Sequence, residues 1–429
     1  ETREAADAAY DRSDECSFTS FVAYEWTKAP GSRNLHRNVI FASEVVPELP
    51  ASVFDAPEAP DLWRWIEEQC AQALPGCEAL AIPHNSNLSD GLMFRREQED
   101  GSPMTRAYAE RRAAFEPLVE VMQHKGDSEC SSSESARGEV DELCAFEELP
   151  YDLFSAKFAP GRRETAGDGG LVRGALGDGL MLQGEVGANP YRFGLVGSTD
   201  THLGTAGAVE ESKHQGHGGA GPPRGGGPTR RREAYATSGP RFLVRFFGGW
   251  EYPPELCADP ELAARGYASG VPMGSDLPPL PGAGAAPVFA VWAARDPGTA
   301  ETPGGLLERI QVVKGWVENG APRERIYDVA GRAGRGSVDE STCATRGSGD
   351  ETLCTVWRDP NFDPAAPAVY YVRVLENPSC RWTTWACNAA GVRCDGASKI
   401  GAGFEPCCDP SFPKTVQERA WTSPIWYAP

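Results

Sequence analysis

The chain has 429 residues, 40% of them apolar and 24% charged, enough for two or three globular domains with a sizeable core. Lys and Arg number 41 against 61 Asp and Glu, a net charge of −20, which argues against a nucleic-acid or anionic-membrane partner because a phosphate surface needs a basic face. No apolar run approaches the roughly 18 residues of a membrane span.

The opening ETREAADAAYDRSDE reads as the inside of a helix already under way, with neither Met nor a basic n-region. Residues upstream of Glu1 are therefore expected. FTSFVAYEW (18–26) and NVIFA (38–42) are strands by their aromatic and β-branched content. DLWRWIEEQCAQAL (61–74) has helical spacing and stops at Pro75-Gly76. EALAIP (78–83) is a strand, MTRAYAERRAAF (104–115) a helix and LVEVMQ (118–123) a strand. A glycine-interrupted helix over 171–187 precedes the strand FGLVGST (193–199). Strands alternating with helices predict an α/β fold, with a parallel sheet or barrel over residues 1–203.

Residues 204–233 are Gly/Pro-rich and predict a flexible loop. His214 and His217 sit in it, on a loop too rich in glycine to pre-organise a metal site, and read as solvated. From 234 to 429 the pattern changes. RFLVRFFGGW (241–250), APVFAVWAA (286–294), ERIQVVKGWV (308–317), ERIYDVA (324–330), TLCTVW (352–357) and AVYYVRVLE (368–376) predict a β-rich, sandwich-like region with a Cys-rich end. Thirteen cysteines leave at least one unpaired within the chain. Seven lie between Cys343 and Cys408 without a histidine or a C-x-x-C knuckle, which favours disulfides over a zinc site and an extracellular or periplasmic location. Cys130 and Cys144 bracket a Ser-rich loop and are a candidate pair.

Potential metal ligands sit at strand ends. Glu25 ends one strand, His84 follows another, and Asp200 and His202 follow a third, while His36 immediately precedes NVIFA. Side chains two apart in extended chain project to the same side, so Asp200 and His202 can enter one cavity. Imidazoles with carboxylates and no thiolate suit Zn, Mn or Fe and metal-assisted hydrolysis of a small anionic substrate. The polar turn after LVEVMQ offers Gln123, Lys125 and Glu129 as substrate-binding candidates, Lys125 being either a phosphate contact or a solvated lysine. Asn85, Ser86, Asn87 and Asp90 are either hydrogen-bonding supports for His84 or turn formers.

FTSFVAYEWT with NLHRNVIF, AIPHNSNLSDG, VEVMQHKGDSE, YRFGLVGSTDTH, EAYATSGPRFLVRFFGGW, RIQVVKGWV and ERAWTSPIWY together resemble the DUF3604 family. The catalytic half of that family is similar to the PHP (polymerase and histidinol phosphatase) superfamily of metal-dependent hydrolases. The resemblance implies a distorted (β/α) barrel holding two or three divalent ions at its strand ends. In it Glu25 corresponds to a bridging carboxylate, His36 and His84 to imidazole ligands, and Asp200 with His202 to the closing D-x-H pair. Phosphoester hydrolysis is the implied activity. Two alternatives stand beside it: hydrolysis of another ester or an amide, and a non-catalytic secreted binding or structural protein that keeps the barrel. The superfamily opens with an H-x-H motif that this sequence lacks. The barrel is therefore expected to be incomplete at its N-terminus, with the missing ligands upstream of Glu1.

Overall fold

A computed structural model describes residues 2–132, 141–149, 151, 170–200, 232–300, 302–395, 400–401 and 403–429. After a first helix, Thr2–Ala9, strands β1 (Ala23–Trp26), β2 (Arg37–Phe41) and β3 (Ala79–Pro83) form an antiparallel sheet in that order. Val39 and Phe41 of β2 pack with Trp26 against Leu62 and Ile66, as the period-2 pattern of a half-buried strand requires. Leu62 belongs to the helix Ala59–Trp65, whose first turn Glu58 and Asp61 close with reciprocal side-chain bonds. That helix runs on into a π-helical turn, Ile66–Gln72.

Strand β4 (Leu118–Gln123) turns through His124 and Lys125 into β5 (Gly126–Asp127) and pairs in parallel with β6 (Gly194–Gly197). Helix Arg106–Phe115 precedes β4, and helix Val172–Val186 precedes β6.

The remaining strands are β7 (Tyr235–Thr237), β8 (Leu243–Gly249), β9 (Gly270–Pro272), β10 (Val288–Ala294), β11 (Leu307–Glu318), β12 (Ala321–Gly331), β13 (Gly336–Asp339), β14 (Ala344–Gly347), β15 (Thr352–Arg358), β16 (Ala368–Glu376), β17 (Ser379–Cys380), β18 (Thr415–Val416), β19 (Arg419–Thr422) and β20 (Ile425–Tyr427). Two sheets dominate, ordered β15-β10-β8-β9 and β12-β11-β16-β19-β7, with β20 also pairing β16. Phe246, Phe289 and Val291 of the first share one core with Ile310, Val372 and Ile425 of the second. A separate core joins the two halves of the chain: Leu176 and Leu180 of helix Val172–Val186, with Phe193 and Leu195, cluster with Val313, Tyr371, Trp421 and Trp426.

The expected (β/α) barrel is not the fold. Strand outweighs helix, and the described strands lie in small open sheets with no closed barrel. Only β4 and β6 are parallel in the N-terminal half. The reason is connection length. Between Trp26 and Arg37 the chain contains only a 3₁₀ turn, Pro30–Ser32, whereas a parallel crossover needs about a dozen residues or more and usually a helix. β1 and β2 can therefore pair only antiparallel.

Six disulfides close the described chain: Cys70–Cys77, Cys130–Cys144, Cys257–Cys354, Cys343–Cys380, Cys387–Cys407 and Cys394–Cys408, leaving Cys16 free and exposed. This usage fits an oxidising compartment. No helix among the described residues is long and apolar enough to cross a membrane.

Glu376, the last residue of β16, is buried with Oε1 lacking a hydrogen-bond partner among the described residues. Burial, then the nearby carboxylates of Glu418 and Asp296, push its pKa from 4.5 up to about 8. Between those values the folded chain holds a proton that the unfolded chain releases, so stability falls as pH rises through that window. Glu376→Gln is expected to flatten this slope in urea midpoints measured from pH 5 to 8.5; an unchanged slope refutes the assignment.

Candidate metal centre

The antiparallel order of the first sheet brings three ligands together. β1 ends, β2 begins and β3 ends at the same edge, with Glu25 opposite Asn38 and Arg37 opposite Pro83. Glu25 near the end of β1, His36 before β2 and His84 after β3 therefore meet, and the His84 N–H reaches the His36 carbonyl at 3.4 Å. One ligand atom from each of the three lies within 4.8 Å of the others. His36 Nδ1 is 3.0 Å from Glu25 Oε1, His84 Nε2 is 3.9 Å from the same oxygen, and the two imidazoles tilt toward each other with centroids 5.4 Å apart.

Beyond His84 the backbone enters the left-handed region at Asn85, φ 55°, a conformation Asn tolerates better than most residues. A ladder of amides holds this turn. Asn34 donates to Asn85 at 2.6 Å, Asn85 to Asn87 at 2.9 Å, and Asn87 to the Lys125 and Leu149 carbonyls at 3.1 Å. Both alternatives held for these residues are thus realised at once: Asn85 and Asn87 form the turn and, by fixing it, fix His84.

The electrostatics suit a cation. His84 is fully buried, and among the described residues neither of its ring nitrogens has a hydrogen-bond partner. Burial lowers its pKa to about 4, so the imidazole is neutral and its lone pair free at ordinary pH. Glu25 is held down at about 2 by the His36 contact, assisted by the Thr27 hydroxyl, which donates to Oε1 at 2.7 Å. A buried imidazole without partners is costly. A carboxylate oxygen beside two imidazole nitrogens is a donor set for Zn, Mn or Fe.

Asp200, also at positive φ (52°), lies near enough to His84 to act on its charge but outside the cluster of Glu25, His36 and His84. It accepts from Gln123 Nε2 at 3.0 Å and pairs with the Lys125 ammonium. The tight β4–β5 turn explains this placement, because it returns the chain after two residues and leaves Gln123 and Lys125 facing the end of β6. Gly126, at φ +112°, makes that return possible. His202, His214 and His217 lie outside the described residues.

Glu129 is not on the polar turn. It sits in the core, where Oε1 meets Arg173 and the Tyr371 hydroxyl at 2.5 Å and Arg373 at 3.4 Å, while Trp421 Nε1 donates to Oε2 at 2.6 Å. Sequence reasoning missed Glu120, a buried carboxylate in β4. Its Oε1 is 3.9 Å from His84 Nδ1 and accepts from the Asn85 N–H at 3.3 Å, while Ser198 donates to Oε2. Burial raises Glu120 to about 8. A single Glu inside LVEVMQ carries the signature of an ordinary outward-facing strand position, so no sequence signal marked it.

Zn²⁺ titrated calorimetrically into dialysed protein is expected to lose binding in His84→Ala, and to bind about 10- to 100-fold more weakly in Thr27→Ala, where Glu25 loses its orienting donor. Unchanged affinity in both variants would sink the centre. Glu129→Gln is expected to cost about 3–5 kcal/mol in urea unfolding, because it leaves buried arginines short of a counter-charge. A variant of normal stability would overturn the structural assignment of Glu129.

No curated protein and no solved structure matches the chain. The family described as "Protein of unknown function (DUF3604)" matches residues 1–225 and 228–429. With that match spanning nearly its whole length, the chain belongs to the DUF3604 family.

Proposed function

We propose that this chain carries the metal-binding part of a metal-dependent hydrolase of phosphoesters, related to the PHP superfamily and working outside the cytoplasm. The observation that carries the reading is His84: a wholly buried imidazole whose ring has no hydrogen-bond partner among the described residues, beside Glu25 and His36. Those three residues would hold a divalent ion, with Asp200 nearby as a further carboxylate. When bound, such an ion supplies Lewis acidity toward a phosphoryl oxygen and lowers the pKa of water.

The chain's own residues prepare the rest. Thr27 fixes the rotamer of Glu25, and the Asn34–Asn85–Asn87 ladder fixes His84. Lys125 places a positive charge at the rim, where it neutralises Asp200 and can turn to a phosphate oxygen as a point charge. Glu120, kept protonated by burial up to about pH 8, adds no negative charge against an incoming anion. Six disulfides support the extracellular or periplasmic location.

The test is turnover of a generic phosphomonoester and phosphodiester by protein loaded with Zn²⁺ or Mn²⁺, alongside elemental analysis. Bound metal is expected, with hydrolysis reduced at least about 100-fold in His84→Ala and Glu25→Gln. Lys125→Ala is expected to raise KM more than it lowers kcat. Protein that takes up no metal, or activity that His84→Ala leaves unchanged, overturns the reading in favour of a non-catalytic binding protein. Cleavage of a carboxylic ester or amide alone would move the substrate class instead.

A further inference from the structure

The strands that deliver the metal ligands at one end carry a second concave site at the other. A groove of about 680 Å³ opens where β3 and β4 begin. Leu80, Ala113 and Pro117 line one part of it, and Gln183, Arg192 and Arg232 another. Its size lies within the range of pockets that take small ligands. Gln123 and the rim lie at the far end of β4, six residues long, or about 17 Å away at strand rise. The groove is therefore separate from the metal centre.

Its charge runs against the chain's. The whole sequence carries −20, yet among the described residues two guanidiniums line this groove, and the single acid there, Glu110, already pairs with Arg106 at 2.8 Å. Arg192 stacks over Trp426 and pairs with Asp276, but its Nε is buried without a hydrogen-bond partner among the described residues. Arg232 bonds only to a backbone oxygen among the described residues, donating from Nη1 to the Arg192 carbonyl at 2.8 Å. Burial and the neighbouring Arg192 pull its pKa down to about 10, the mark of a cation short of counter-charge.

Arg232 is also locked in place. A Cβ on Gly194 would come within 2.9 Å of the Arg232 Cβ, and one on Gly274, at φ +85°, would strike its carbonyl. Two glycines on separate segments thus let the Arg232 backbone in close and hold it. A fixed, half-buried guanidinium beside an apolar wall matches a ligand with an anionic head and an apolar body.

We propose that this groove binds a small amphipathic anion, its carboxylate or phosphoryl head on Arg232 and Arg192 and its apolar body against Leu80, Ala113 and Pro117. Calorimetric titration of the full chain in EDTA, which removes the metal centre from consideration, tests this with benzoate, phenylphosphonate, inorganic phosphate and neutral benzamide. Saturable binding of benzoate or phenylphosphonate is expected, at least tenfold tighter than inorganic phosphate, with no binding of benzamide. The stronger of the two probes identifies the head group. Arg232→Gln is expected to weaken binding at least tenfold, and Arg192→Gln measurably, with circular dichroism and melting midpoint matched to wild type to exclude misfolding. Should Arg232→Gln lower the midpoint, Ala113→Asp on the partly exposed groove face of helix Arg106–Phe115 supplies the independent check by weakening the phenyl probes while sparing inorganic phosphate. Binding by none of the probes, or affinity unchanged in both arginine variants, overturns the proposal. Equal affinity for inorganic phosphate and phenylphosphonate overturns the role of the apolar wall.

Discussion

One buried carboxylate ties the two halves of this chain together. Glu129, just beyond β5, receives Arg173 from the helix before β6, Arg373 and Tyr371 from β16, and Trp421 from β19. Asp141 pairs with the same two arginines at 2.8 Å, and burial beside Glu129 pushes the neighbouring Asp127 toward its uncharged form. Ions removed from water this far are tolerable only when each finds an opposite charge and hydrogen bonds, and here those partners come from segments more than 240 residues apart. The network therefore demands a single way of docking the N-terminal sheets on the C-terminal sheet. The apolar cluster around Leu176, Tyr371 and Trp421 supplies the burial that makes the demand strict.

That docking stiffens the rim around His84. The turn that starts at Lys125 carries the chain from the rim into the Glu129 network within four residues, and Ser128 on the way accepts from the Asn87 N–H at 3.2 Å. Asn87 in turn holds Asn85 and the turn beyond His84. The turn beyond His84 is thus connected through Asn87 and Ser128 to a cluster of ions buried in the core. Such a path suits a site that must keep an imidazole buried without partners, because only a stiff surround prevents that imidazole from rotating out to water.

Much of this was legible residue by residue. β4 and β16 coincide with the runs LVEVMQ and AVYYVRVLE, and helix Val172–Val186 lies within the glycine-interrupted pattern over 171–187. In such segments period and local propensity agree with burial. Glu25, His36 and His84 stood out because strand ends are where polar side chains can leave a sheet without breaking it. Glu129 and Glu120 were misjudged or missed for one reason: neither burial nor counter-charge is visible in a window of neighbours. Arg173, Arg373 and the Ser198 hydroxyl that decide their roles are 44, 244 and 78 residues away in the chain. Short strands such as β17 and β18 carry too few residues for any pattern and exist only because each has a partner.

By itself, the sequence marked the longer strands and helices, favoured pairing of the cysteines over a zinc site, and showed which residues offer imidazole and carboxylate donors. These follow from side-chain chemistry and near-neighbour spacing. The tertiary structure alone decided the direction of the strands, and so replaced an expected barrel with open sheets. It also decided which donors converge on His84, and that a pair of arginines faces a groove at the opposite end. Those outcomes depend on pairing and burial between distant segments, where the free energy belongs to contacts that no stretch of sequence contains.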